Sequence, residues 1–121
     1  MPKVMLIEDD DTMRALLGTL LQFEGYDVAQ QKCDDELHEM LGSVRREEPA
    51  LVLLDVNLCH FSGFDLLRSI RQDPDLKPVR VLMSSGMDHG LRCFQEGADG
   101  FILKPYMPDE LMRKIRQTLE D

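Results

Sequence analysis

Hydrophobic residues in this chain fall into short uninterrupted runs separated by longer amphipathic stretches. Val4-Met5-Leu6-Ile7, Leu51-Val52-Leu53-Leu54, Val81-Leu82-Met83 and Phe101-Ile102-Leu103 are apolar at every position. A strand apolar on both faces is buried on both faces, the signature of a parallel sheet covered by helices. Tyr26-Asp27-Val28-Ala29 alternates instead, which predicts an edge strand. Between the runs the period changes. Met13, Leu16, Leu17, Leu20 and Leu21 form a helical stripe, as do Leu37, Met40, Leu41 and Val44, then Phe64, Leu67 and Ile70. Leu91 and Phe94 make a weaker fourth stripe, and Leu111, Ile115 and Leu119 a fifth.

The punctuation agrees with that division. Asp10 or Asp11 can cap the first helix and Gly25 can end it; Asp73-Pro74 follows the third helix and Pro108 opens the last. Five strands alternating with five helices predict an α/β fold with helices on both faces of a parallel sheet. At 121 residues the chain predicts one domain, spanning 1–121. No repeat, low-complexity tract or linker interrupts it, and no output domain is expected after the fifth helix.

Composition narrows the function. Lys and Arg number 14 against 23 Asp and Glu, a net charge of −9. Such a surface repels nucleic acid and anionic lipid, so direct nucleic-acid binding is not expected. No apolar run approaches the ~18 residues that span a bilayer, so no membrane insertion is expected. Cys33, Cys59 and Cys93 form no CxxC pair, and no His stands at finger spacing from them. They predict reduced thiols in a cytoplasmic protein, acting as small packing residues.

In an open parallel sheet, ligands bind beyond the carboxyl ends of the strands. Glu8-Asp9-Asp10-Asp11 follows the first apolar run, Asp55 the third, Ser84-Ser85 the fourth and Lys104-Pro105 the fifth. One or two of the consecutive acids can serve as helix caps. Glu8 and Asp9 facing Asp55 are not explained that way. Clustered carboxylates raise one another's pKa or hold a cation, and an all-oxygen set without His or Cys suits Mg²⁺ rather than zinc. Asp55, fixed at a strand end, can act as a nucleophile toward phosphorus. Lys104 can pair with an anion there, and Ser84 or Ser85 can donate to a phosphoryl oxygen. Each residue also has a plain structural reading: Asp55 as a turn starter, Lys104 as a surface charge, the serines as a strand end.

Glu8-Asp9, Asp55, Gly63 at the third helix, Ser85-Gly86, and Gly97-Ala98-Asp99 leading to Lys104-Pro105-Tyr106 recur in one order over nearly the whole chain. In this the sequence resembles the receiver domain of two-component response regulators, including single-domain chemotaxis regulators. The resemblance implies a flavodoxin-like (βα)5 fold, doubly wound, with strand order 2-1-3-4-5. It implies that Asp55 accepts a phosphoryl group from the phosphohistidine of a sensor histidine kinase or phosphotransfer protein, changing the surface of the last helices and strand toward an unidentified downstream protein. Glu8, Asp9, Asp55 and the backbone carbonyl of Asn57 would hold Mg²⁺, with Lys104 on a phosphoryl oxygen. Ser85 and Phe101 would be the switch residues, although on periodicity alone Phe101 reads as core. Such a domain assists its own phosphorylation and dephosphorylation and is not a turnover enzyme. Dimerisation through the last helices stays open.

Two features depart from the family pattern. Cys59-His60 stands where a Pro often follows the phosphorylated Asp, and Gly86 to Gly97 is short, which predicts a shortened or irregular fourth helix. By the same resemblance Met87, two past Ser85, stands at a position that would tune phosphate lifetime. The rival readings are weaker. An aspartyl-phosphate phosphatase needs a second acid two residues after the nucleophile, where Asn57 stands. A flavin site needs a phosphate loop of Ser, Thr and Gly after the first strand, where four acids stand. An unphosphorylated interaction module would not require the set of Glu8, Asp9, Asp55 and Lys104.

Overall fold

The computed structural model describes residues 1–32, 36–58 and 60–120. Strands β1 (Lys3–Ile7), β2 (Asp27–Gln31), β3 (Leu51–Asp55), β4 (Arg80–Ser85) and β5 (Gly100–Leu103) alternate with helices α1 (Asp11–Phe23), α2 (Leu37–Glu47), α3 (Gly63–Gln72), α4 (Gly90–Gln95) and α5 (Pro108–Glu120). All pairings are parallel, in the order β2-β1-β3-β4-β5. This is the flavodoxin-like arrangement.

Alternation along the strands divides the core into two layers. Val4, Leu6, Leu51, Leu53, Leu82 and Ile102 pack with Leu17 and Leu21 of α1 and Leu111, Met112 and Ile115 of α5. Met5, Ile7, Val52, Leu54, Val81 and Met83 pack with residues of α2 and α3 and with Cys93 of α4. Burial pushes the Cys93 thiol up to about 11, so it serves as a packing group. Cys33 and Cys59 lie outside the described residues.

Two elements differ from the sequence pattern. The edge strand starts at Asp27, because the Tyr26 amide turns back to the Leu21 carbonyl and β1 pairs on as far as Gln31. The α1 stripe is narrower than its apolar residues suggest: Leu17, Gly18 and Leu21 are buried, while Met13 and Leu16 stay exposed. The fourth helix is short as expected, six residues with no side-chain cap.

Local chemistry fixes the ends that matter. Asp10 caps α1 by accepting the Met13 amide at 2.9 Å. The Ser62 hydroxyl accepts the Phe64 amide while the Asp65 carboxylate accepts the Ser62 amide, a capping box that fixes the start of α3. The chain between Asp55 and α3 folds back on itself: the Gly63 amide donates to the Val56 carbonyl at 2.7 Å, and Asn57 bridges Ser62. A Cβ at Gly63 would lie 2.1 Å from the Asp55 carbonyl oxygen and 2.8 Å from Leu54 Cδ1. At the far end of α3, the side chain of Asp73 is 6% exposed. It accepts the Asp75 amide at 2.9 Å and Arg45 Nε at 2.7 Å.

Gly63→Ala therefore lowers stability by about 2–3 kcal/mol, since backbone on the other side cannot yield. Gly18→Ala stays within about 1 kcal/mol of the parent: its Cβ meets only the exposed Gln30 side chain, which can swing away, and helix propensity offsets part of the cost. Urea midpoints of the two variants test this contrast. The Asp75 amide first, and then Arg45, holds the Asp73 carboxyl below its ordinary value of 3.8. A depressed folded pKa contributes stability above the unfolded value and loses it as pH falls through the folded one. Asp73→Asn is thus most destabilising near neutrality, and its deficit against the parent shrinks below pH 3.8. A deficit independent of pH would contradict this.

Candidate functional site

Three strand ends converge where the sheet leaves the core. Asp55 closes β3 in register with Ser84, Ser85 closes β4 in register with Leu103, and Lys104 follows β5. The loops are tied to one another: the Val56 amide donates to the Ser84 carbonyl at 2.9 Å, and the Lys104 amide to the Ser85 carbonyl at 2.8 Å. Lys104 precedes a cis peptide bond to Pro105. Its ammonium forms an ion pair with Asp55 Oδ2, and the Asn57 amide donates to Asp55 Oδ1 at 3.0 Å. Both side chains keep partial contact with solvent, Asp55 at 20% and Lys104 at 33%.

Beside this pair lies a cleft of about 550 Å³ lined by Glu8, Asp10, Met13, Gly86, Lys104, Pro105 and Tyr106. The Tyr106 ring packs against the α1/α5 core layer. Burial pushes its phenol up to about 12, and the carboxylates of Glu8 and Asp55 push it the same way. The hydroxyl therefore stays protonated and senses both carboxylates. Sequence reasoning had not assigned the cleft walls Met13 and Tyr106. An aromatic two residues past a strand-end Lys was the available signal.

The acids of the first loop divide. Asp10 is a cap, and Asp11 is held by Arg14 at 2.7 Å and Lys32 at 3.7 Å, with the Arg14 hydrogen bond depressing its pKa most. Arg14 also donates to the Glu8 carbonyl at 2.8 Å. The Glu8 carboxylate accepts the Asp10 amide at 3.3 Å and faces the cleft. Asp9 is exposed and has no hydrogen bond or ion pair among the described residues. The donor types of Glu8, Asp9 and Asp55 suit a hard cation such as Mg²⁺. Among the described residues, however, no three His, Cys, Asp or Glu side chains are gathered as a metal site. Lys104 neutralises Asp55 in this arrangement.

The expected switch residues sit one layer in. Ser85 is fully buried and its hydroxyl oxygen accepts the Met87 amide at 3.1 Å; Ser84, the alternative, is 4% exposed. Phe101 is half-buried against the α2/α3/α4 core layer, as periodicity suggested, with its ring beside Gly90. His60 is exposed in the loop after Asp55.

The family model for the response regulator receiver domain matches residues 4–116. The chain belongs to that family. The family is a phosphoacceptor signalling module of two-component systems. The receiver is 34% identical over 118 residues to the cell cycle transcriptional regulator CtrA of Caulobacter vibrioides, covering 97% of this chain and 50% of that protein. It is 29% identical over 117 residues to the DNA-binding response regulator MtrA of Mycolicibacterium smegmatis, again covering 97% and 50%. The chain thus spans about half the length of the curated relatives it matches. A CheY-like receiver domain protein from Methanospirillum hungatei superposes with TM-score 0.85 at 27% identity, over 99% of this chain and 94% of that one. The chemotaxis response regulator CheY4 of Vibrio cholerae shares the fold, with TM-score 0.87 at 23% identity over 98% of each chain. No helix among the described residues is long and apolar enough to cross a membrane.

A double-mutant cycle on the central pair measures its strength. Asp55→Asn and Lys104→Met should show a coupling of about 1 kcal/mol in urea denaturation, weakening with added salt because both groups keep some hydration. Additive effects would show that the pair contributes nothing to the folded state.

Proposed function

We propose that this receiver accepts a phosphoryl group on Asp55 from a phosphohistidine of a sensor histidine kinase or phosphotransfer protein, in the cytoplasm. The observation that carries the reading is the Lys104–Asp55 pair at the rim of an open cleft, a cation held against a partly exposed carboxylate. In the transfer, a carboxylate oxygen of Asp55 bonds to phosphorus as the nitrogen–phosphorus bond breaks. The electron pair stays on the imidazole nitrogen; with its other nitrogen already protonated, the ring leaves neutral. Lys104 then follows charge from carboxylate to phosphoryl oxygen. Mg²⁺ held by Glu8, Asp9, Asp55 and the Asn57 carbonyl would supply the positive charge that lets a phosphoryl group approach an acidic rim.

Phosphorylation adds negative charge where Ser85 and Lys104 end their strands. The Ser85 hydroxyl, now accepting from Met87, also carries a proton that a phosphoryl oxygen can accept. Movement of Ser85 would be felt by Phe101, whose strand pairs with β4. The elements that follow expose Leu91, Phe94, Leu103 and Met107, so a shift in α4, β5 or α5 alters an apolar surface available to a downstream protein. The domain assists its own phosphorylation and dephosphorylation without turning over a separate substrate.

Incubation with Mg²⁺ and acetyl phosphate, followed by intact-mass and peptide analysis, tests the reading. One acid-labile phosphoryl group should appear on Asp55, absent from Asp55→Asn and from samples with excess chelator. Label that persists in the Asn variant, or steady phosphate release from phosphomonoesters, would overturn it.

A further inference from the structure

Arg14 stands where a helix least favours a cation. It lies in the opening turns of α1, near the positive end of the helix dipole. It is nevertheless drawn in: its side chain is 17% exposed, whereas Asp11, Thr12, Met13 and Ala15 around it are exposed. Its contacts account for the placement. One arm of the guanidinium, Nη1, donates to the Glu8 carbonyl at 2.8 Å, and the other, Nη2, to Asp11 Oδ1 at 2.7 Å. A planar fork that spans two acceptors fixes one against the other, which a lysine ammonium does not. The Glu8 amide is held as well, donating to the Gln31 carbonyl of β2 at 3.2 Å. On the other side of Asp9, the Asp10 side chain caps α1. Asp9 therefore stands between two fixed points. With the Glu8 carbonyl taken by Arg14, the side chains of Glu8 and Asp9 are the donors this stretch of the loop can offer a cation.

We propose that Arg14 is a positioning residue for divalent-cation binding: it holds the Glu8–Asp9 backbone in the arrangement from which both carboxylates join Asp55 around Mg²⁺. The inference rests on the Mg²⁺ reading of this site and goes beyond it by naming the group that orders the loop. Arg14 does not line the cleft, so it acts through Glu8 and Asp9 rather than on a ligand directly. Its charge and its fork work in opposite directions. A guanidinium near the rim repels a cation, so on charge alone its removal tightens Mg²⁺ binding. The fork restrains a loop whose like-charged side chains otherwise spread apart, so on positioning its removal weakens binding. Asp11 answers most of the charge, its carboxyl held below the ordinary value of 3.8 chiefly by the Arg14 hydrogen bond. Positioning therefore prevails.

The test titrates Mg²⁺ alone into the full chain, without a phosphodonor, and reads the dissociation constant from the amide NMR shifts of Glu8, Asp9, Asp10 and Asn57. Arg14→Gln removes both charge and fork, and Arg14→Lys keeps the charge and removes the fork. Asp73→Asn serves as the control, since it weakens the fold at the far end of α3 without touching the first loop. The dissociation constant should rise about tenfold in Arg14→Gln, the low end for loss of a group that orients metal ligands. It should rise severalfold in Arg14→Lys and hold in Asp73→Asn. The lysine variant retains the charge and the aliphatic stem, so it keeps the test open if the glutamine variant unfolds. An unchanged constant in Arg14→Lys, tighter binding in Arg14→Gln, or equal weakening in Asp73→Asn overturns the assignment while leaving Mg²⁺ at the site. A parent chain whose shifts do not respond to Mg²⁺ overturns the metal reading and this inference with it.

Discussion

A carboxylate at the carboxyl end of a buried strand must find a counter-charge, and here the counter-charge comes from two strands away. Lys104 reaches back from the end of β5, across β4, to Asp55 at the end of β3. Much else serves that reach. The Lys104 and Val56 amides both donate to β4 carbonyls, which holds the two loops at fixed separation. The folded-back β3–α3 loop and its capping box set where the Asp55 backbone stops. Lacking a Cβ, Gly63 lets that loop lie directly against the Asp55 carbonyl. A partly buried carboxylate stripped of its cation carries a desolvation cost, so the pair helps keep the site formed.

The opposite face of the molecule is tied more firmly at one end than at the other. Arg71 donates to the carbonyls of Gly97, Lys77 and Val79 and pairs with Asp99 at 2.6 Å, fixing the turn into β5 against α3. Arg68 holds Glu96 at 2.8 Å. Toward the site the restraints thin out. The six-residue α4 buries Cys93 alone among its residues, has no side-chain cap, and meets α3 through Arg92 stacked 4.1 Å over the Phe64 ring. A short helix with few buried contacts has little cooperative stability of its own. The arginine clamps thus fix the base of β5, while α4 is held mainly by Cys93 and the Arg92–Phe64 contact.

Much of this was written in the order of residues. Four doubly apolar runs determine a covered parallel sheet, and the polar residues after each run name the rim, so Asp55, the Ser84-Ser85 pair and Lys104 stand out from residue order alone. Partnerships between distant side chains were harder to see. Asp11 finds Arg14 and Lys32, which removes one acid from a run that looked unbalanced. The register of β2 runs on through Gln30 and Gln31 because backbone pairing with β1, rather than side-chain alternation, sets the length of an edge strand. Met13 and Tyr106 meet in one cleft although 93 positions separate them, and no periodicity within either element announces that meeting.

The acidic rim shows how charge can be spent unevenly within one loop. With Asp10 capping a helix and Asp11 paired, the surplus in the first loop falls on Glu8 and Asp9. Glu8 faces the same cleft as Lys104, and its carboxylate and that of Asp55 both bear on the Tyr106 phenol. Two carboxylates around one ammonium leave net negative charge, and Asp9 adds to it from the exposed side. Such a rim repels a phosphoryl group unless a cation joins it. A hard divalent cation held by Glu8, Asp9 and Asp55 would offset that imbalance while the Lys104 ammonium keeps its pairing with Asp55.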